Sequence, residues 1–341
     1  MRNMNEVYHI PAMLKETIEG LNIRPEGVYV DVTFGGGGHS TAILKKMLKN
    51  DELNRPEGLN DELKIGKLYS FDQDIEAYEN AKVNRPELVG NEHWQFVHSN
   101  FRYLKNFMDF YGVDHIDGLI ADLGVSFHHF DAAERGFSFR FDGPLDMRMN
   151  REGGRTAAHI VNTYSEEELA KVLYLYGELK NSRAIARRIV GSRGVEGRGV
   201  GCRGVGLQTI NELVEAVIGK KAEEANPMEK KTLTLVFQAL RIEVNDELGA
   251  LKQMLCAARD LLAPGGRLVV LTYHSLEDRI VKNFLRSGNL EGEIEKDFYG
   301  NILTPFKLIE KGRVADAEEV ERNPRSRSAK LRVAEKLGVE E

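Results

Sequence analysis

The chain has 341 residues, of which 42% are hydrophobic and 29% charged, and its formal net charge is −6. That is the balance of a soluble globular protein able to bury a sizeable core without disulfides or metals. Its two cysteines, Cys202 and Cys256, form no close pair, which argues against a metal knuckle or redox motif and fits a reducing compartment. Met1 to His9 is polar with no apolar h-region, and no apolar run reaches the ~18–20 residues of a membrane span, so a cytoplasmic location is expected.

In chain order, the pattern begins with a helix from Pro11, with Leu14, Ile18 and Leu21 on one face. Strand-like and helical patterns then alternate, as in a parallel sheet built from βαβ units. The expected strands are Val28–Thr33, Lys67–Asp72, Trp94–His98 and Ile116–Leu123, with a helix carrying Ile43, Leu44, Met47 and Leu48 after the first. Asn50 to Gly66 is polar, contains Pro56 and reads as a surface loop. After Asp122 the strand rhythm stops. Ser165 and Glu168 form a capping box before Leu169, Val172, Leu173 and Tyr176, and Ile185 and Ile189 continue a further helix. Gly191 to Gly206 is a Gly/Arg-rich tract that cannot bury a core. A helix near Pro227 carries Leu233, Val236, Phe237 and Leu240. Another ends at Leu262 and leads through Ala263-Pro264-Gly265-Gly266 into a fifth strand, Arg267–Tyr273. Phe306–Ile309 and Leu331–Ala334 are two more strand candidates.

These boundaries give an α/β domain whose first part is 1–125, an inserted helical domain over 126–230 with a loop at 191–206, and a second part over 231–341. The tail carries a basic run, Arg322, Arg325, Arg327, Lys330 and Arg332, and a second run spans Arg183 to Arg203. Phosphate binding depends on such local fields, so the acidic total does not exclude a nucleic-acid partner.

The chemistry concentrates at the strand ends. Asp31-Val-Thr-Phe-Gly35-Gly36-Gly37-Gly38-His39 lies where a strand becomes a helix, and glycines there let backbone approach a ligand. The dinucleotide fingerprint G-x-G-x-x-G fails in both registers, since Ser40 or Thr41 stands at its last position. Asp72 ends the second strand, where a carboxylate can accept from both hydroxyls of a ribose, as in NAD enzymes too. Phe101 follows the third strand and fits either an adenine neighbour or a plain core residue. Asp122 ends the fourth, at the sheet edge where ligands bind.

Several motifs follow in order across nearly the whole chain: DVTFGGGGHS, ADLGVS, AERGFSFRFDGPLDMRM, LRIEVNDEL, LAPGGRL, YHSLEDR and NPRSRSAKLR. Together they resemble the MraW family of 16S rRNA cytidine N4-methyltransferases. The resemblance implies a class I S-adenosylmethionine-dependent methyltransferase, a Rossmann-like seven-stranded sheet with a helical domain inserted after strand four. It implies S-adenosylmethionine as cofactor and 16S rRNA of the small ribosomal subunit as partner. Carried over by motif, Gly37, Gly38 and His39 line the cofactor's amino-acid end, Asp72 holds the ribose, Phe101 sits near the adenine and Asp122 closes the site; from its chemistry Asp122 is the catalytic candidate that accepts from a substrate amine, with a neighbouring backbone carbonyl as the alternative. The family's glutamine after ADLGVS is replaced here by His129.

The residues also speak to the chemistry. Methylation at cytosine C5 needs a thiolate, and neither cysteine suits that role, whereas an exocyclic amine needs orientation and a hydrogen-bond acceptor. The motif (D/N/S)-P-P-(Y/F/W) of many amino-methyltransferases is absent after strand four, so proximity must carry much of the rate. An extruded base is commonly held by aromatic faces, and Phe127, Phe130, Phe137, Phe139 and Phe141 crowd the stretch after Asp122, with Arg135, Arg140 and Arg148 placed to meet phosphates. Ser275 and Asp278 read as a capping box, leaving His274 as a substrate candidate. Arg241 and Asn245, four apart on a helix, fit RNA contacts or a structural network. His128, His129 and Asp131 on one short loop are weak metal ligands, and no metal is expected. The competing readings are an NAD-dependent oxidoreductase and a non-catalytic RNA-binding protein on the same sheet.

Overall fold

The computed structural model describes residues 11–53, 65–125, 130, 132–194, 206–300 and 302–338. It divides into two compact units, one of residues 1–124 and 248–341, the other of residues 125–247.

The first unit holds a seven-stranded sheet in the order β3-β2-β1-β4-β5-β9-β8. Its strands are β1 (Val28–Asp31), β2 (Lys67–Asp72), β3 (Trp94–His98), β4 (Ile116–Asp122), β5 (Leu262–Thr272), β8 (Phe306–Val314) and β9 (Lys330–Lys336). Two short strands, β6 (Glu295–Lys296) and β7 (Ile302–Leu303), pair only with each other. β1 to β5 are parallel, and β9 runs antiparallel to both β5 and β8. Tyr29 and Val30 of β1 and the run Leu-Ile-Ala of β4 are buried because helices cover both faces of a parallel sheet. Two apolar clusters result, one around Val30, Phe71, Leu119 and Val270 and one around Tyr29, Leu68, Ile120 and Val269.

Chain order reverses beside β1, which lies between β2 and β4. This is the topological switch point, where loops leave the carboxyl ends in opposite directions and open a crevice. Asp31, Asp72 and Asp122 are the last residues of the three strands that meet there.

Three expectations need adjustment. The first helix is Leu14–Leu21 rather than starting at Pro11, because Met13 adopts a left-handed φ of 48°. β5 begins at Leu262, and its register against β4 shifts between Ile116 and Gly118, a bulge made possible by Gly265 at φ +81°. β8 runs on to Val314, since its charged alternation is that of a half-exposed edge strand.

The second unit is helical. Its core joins Leu169, Leu173, Ile185, Ile210, Leu233 and Phe237, among others. The helix Glu166–Gly177 begins with the expected capping box of Ser165 and Glu168. Thr209 with Glu212 and Asn226 with Glu229 do the same for Ile210–Ile218 and Pro227–Asn245. Pro227–Asn245 buries Leu233, Val236, Phe237 and Leu240 in this core and so belongs wholly to the second unit. Parts of the polar loop and the Gly/Arg tract, 54–64 and 195–205, lie outside the described residues. Among the described residues no helix is long and apolar enough to cross a membrane.

Candidate active site

The site grows from the loop that joins β1 to the helix Gly38–Leu53. Asp31 is fully buried at the end of β1; its Oδ1 accepts from the Thr33 backbone N–H at 3.1 Å and its Oδ2 from the Ser40 hydroxyl at 2.6 Å. Ser40 continues to Ser70 at 2.7 Å, which accepts from the Trp94 indole at 2.9 Å. The loop between Thr33 and Ser40 is thus pinned from below through three neighbouring strands.

From that base the loop reaches two more carboxylates. The Gly35 N–H donates to Asp72 Oδ2 at 2.8 Å. The Asp122 N–H donates to Thr33 Oγ1 at 2.6 Å. His39, the second residue of the helix, has Nδ1 3.7 Å from Asp122 Oδ2 and Nε2 3.3 Å from the Ala12 carbonyl oxygen. Gly35, His39, Asp72 and Asp122 therefore share one rim of the crevice. Gly35 and Gly37 have φ of +49° and +71°, which a non-glycine residue adopts only under strain. A Cβ built at Gly35 meets only the Thr33 carbonyl oxygen, at 3.9 Å, so that side of the loop is open to a ligand. At Gly37 the same atom falls 2.9 Å from the Phe34 ring, so a side chain there would displace that ring.

Burial sets the electrostatics. It pushes the Asp72 carboxyl up to about 6, against hydrogen bonds from the Asp74 and Gly35 N–H groups. It pushes Asp31 up and His39 down, each partly opposed by the other's charge. Asp72 Oδ1 accepts from the Asp74 N–H at 2.9 Å, while Asp74 caps the helix Ile75–Asn84. Each Asp72 oxygen thus takes one backbone N–H and keeps a lone pair for a further donor. Phe101 lies in a short turn fixed by Asn100, which accepts from the Arg102 N–H at 3.0 Å and donates to Gln73 at 2.9 Å. Its ring is half-buried against the core.

Tyr273 is the member of this site that sequence reasoning passed over. Its hydroxyl donates to Asp122 Oδ1 at 2.6 Å. Attention had gone to its neighbour His274, but His274 is the N-cap of the helix Ser275–Ser287, its Nδ1 accepting from the Glu277 N–H at 3.5 Å and its Nε2 3.1 Å from Glu277 Oε1. The expected cap by Ser275 and Asp278 is not formed, because Asp278 instead binds Arg332 at 2.8 Å and Lys330 at 3.4 Å.

The second unit places its candidates differently. Arg135, expected on phosphates, is 2% exposed and donates to the carbonyl oxygens of Arg148 and Met149, so it faces the interior, contrary to the sequence reading. Arg148 makes a two-pronged pair with Asp146 at 2.7 and 2.9 Å, and Arg241 does the same with Glu247 at 2.8 and 2.9 Å. Asn245 donates to the Met147 carbonyl and accepts from the Met149 N–H, both at 2.8 Å, and so holds Met147 at its left-handed φ of 61°. Arg140 is exposed and lies 5.8 Å from the centroid of the exposed Phe141 ring. Phe137 is buried, and Phe130 and Phe139 pack partly against the core. Phe127, His128, His129 and Asp131 lie outside the described residues.

Known proteins match over nearly the whole length. The model of the MraW methylase family covers residues 6–337. Ribosomal RNA small subunit methyltransferase H of Phocaeicola vulgatus is 53% identical over 98% of this chain and 100% of its own. The protein of the same name from Parabacteroides distasonis is 54% identical over 99% and 100%, and that from Bacteroides thetaiotaomicron 54% over 96% and 97%. With the family model matched over residues 6–337 and relatives 53% and 54% identical over nearly their whole length, this chain belongs to the MraW methylase family.

Proposed function

We propose that the protein transfers the methyl group of S-adenosylmethionine to the exocyclic N4 of a cytidine in the decoding region of 16S rRNA, acting on the small ribosomal subunit in the cytoplasm. The observation that carries this reading is the loop 33–39, in which the Gly35 N–H binds the Asp72 carboxylate and the Thr33 hydroxyl accepts from the Asp122 backbone N–H. The relatives, known as ribosomal RNA small subunit methyltransferases, support the substrate class.

The residues fit the cofactor. The two half-satisfied oxygens of Asp72 suit the paired hydroxyls of a ribose, and the carboxyl groups of Asp72 and Asp122 suit a cationic ligand. Gly37, Gly38 and His39 would receive its amino-acid end and Phe101 its adenine. When bound, S-adenosylmethionine supplies a methyl group already activated by the sulfonium charge.

The protein's part is alignment and proton handling. The lone pair of the cytosine amine is conjugated into the ring, so the amine must be turned toward the methyl group. Asp122 accepts a hydrogen bond from that amine, orients it, and takes the proton it sheds. Carbon methylation would require a thiolate. Cys256, half-buried in the helix Glu247–Leu261, has its thiol pushed up by burial, away from thiolate character. The exposed Arg140 and Phe141 offer a phosphate partner and a stacking face for RNA.

The test is incubation of the protein and methyl-labelled S-adenosylmethionine with small subunits from cells lacking this methylation. Label in 16S rRNA supports the proposal; label in ribosomal protein, or none, refutes it.

A further inference from the structure

We propose that Tyr273 is a positioning residue for methyl transfer, its hydroxyl fixing the carboxylate of Asp122 in the orientation that receives the substrate amine. The inference rests on the methyltransferase reading above and adds to it a residue outside the glycine loop and the strand-end acids.

Four contacts define the arrangement. Asp122 Oδ1 accepts the phenol O–H at 2.6 Å, while Oδ2 faces His39 Nδ1 at 3.7 Å. The Asp122 backbone is tied to Thr33 at 2.6 Å. Tyr273 is itself held at its other end, its N–H donating to Glu277 Oε2 at 3.0 Å, and Glu277 is 3% exposed. Tyr273 thus links the first turn of the helix Ser275–Ser287, through its backbone N–H, to the carboxylate, through its hydroxyl.

Gly124, at φ +112°, lies beside the ring, and a Cβ there would meet it at 3.5 Å, an ordinary van der Waals contact. Burial and the nearby charges of Asp122, Glu277 and Glu319 hold the phenol well above its ordinary range, so it keeps its proton and acts only as a donor. Tyr273 is therefore not the base. A donor to one oxygen favours the ionised carboxylate and restrains its rotation, so that the carboxylate holds one orientation toward the incoming amine.

Among the described residues, the charged and titratable groups facing Asp122 include His39, Asp31 and Tyr273, with Glu277 and Glu319 beyond the phenol. Only Tyr273 can be altered by a single oxygen atom without removing a formal charge.

The experiment compares wild type with Tyr273→Phe, and with 3-fluorotyrosine inserted at position 273, in single-turnover methyl transfer to small subunits across pH. Affinity for S-adenosylmethionine and the melting temperature are measured alongside. The Phe variant should lose about ten- to a hundredfold in rate, the worth of one hydrogen bond to a charged group. Its acid limb should move to higher pH, because an unsupported carboxylate protonates more readily, while cofactor affinity stays within about twofold. Fluorination strengthens the donor and should move the acid limb the other way. An unchanged rate and pH profile in the Phe variant overturns the proposal. So does a rate loss with an unmoved acid limb, or one accounted for by weakened cofactor binding or a lowered melting temperature. Failure of the methyltransferase reading is distinct, since wild type itself would then transfer no label.

Discussion

The backbone N–H of Gly35 donates to Asp72 Oδ2 at 2.8 Å, so the loop after β1 and the end of β2 move as one piece. Asp72 both shapes the loop and presents the carboxylate proposed to hold the ribose. Replacing it with Ala should abolish cofactor binding measured by calorimetry, because the loop and the ribose lose the same partner.

Asp72 also gives a pH signature. Its carboxyl lies at about 6 in the folded protein against an ordinary 3.8. Affinity for S-adenosylmethionine should fall as pH drops through about 6, since a protonated carboxyl loses acceptor capacity. Stability runs the other way. Between 3.8 and about 6 the folded chain keeps a proton that the unfolded chain has released, so this group's contribution declines as pH rises through that window. Titrations of the wild type and Asp72→Asn check both: the variant should lack both slopes.

Asp122→Asn and Asp122→Ala should keep the fold, since the side chain lies at the rim, but lose on the order of a hundredfold or more in methyl transfer. Circular dichroism and a labelled-methyl assay on the same preparation decide this. Wild-type turnover by either variant removes Asp122 from the mechanism.

In the second unit, Asn245→Ala should cost about 1–3 kcal/mol in stability, because it frees the Met147 carbonyl and Met149 N–H and releases a left-handed residue. Chemical denaturation reads this directly. Arg135→Ala should act in the same way, as a loss of stability that leaves the affinity of the folded protein for RNA unchanged.

Arg140→Ala and Phe141→Ala should instead leave stability within about 0.5 kcal/mol, both being exposed surface residues. They should raise the KM for small subunits and leave cofactor affinity unchanged. Filter binding at two salt concentrations separates them: the Arg variant should flatten the salt dependence and the Phe variant should not.

The parallel strands were legible as short apolar runs bounded by turns, three of them closed by an acid; β2 and β3 have the expected ends. The acids at Asp31, Asp72 and Asp122 were legible for the same reason, since a charge ending a buried strand has few structural uses. β8 was read short because its alternation of Lys, Glu and Arg is the pattern of an edge, which resembles loop composition. Tyr273 stayed hidden beside His274, since a tyrosine at a strand end reads as core until its hydroxyl is seen to meet Asp122 151 positions earlier. The inward turn of Arg135 is equally a matter of tertiary placement, as its surrounding sequence is that of an exposed basic loop.

The most direct measurement of the central claim is mass mapping of 16S rRNA after single-turnover transfer from isotopically labelled S-adenosylmethionine. The account predicts one labelled methyl group on the exocyclic N4 of a decoding-region cytidine, and none with Asp122→Ala. A label on a cytosine carbon, on a ribose hydroxyl or on another base would contradict it.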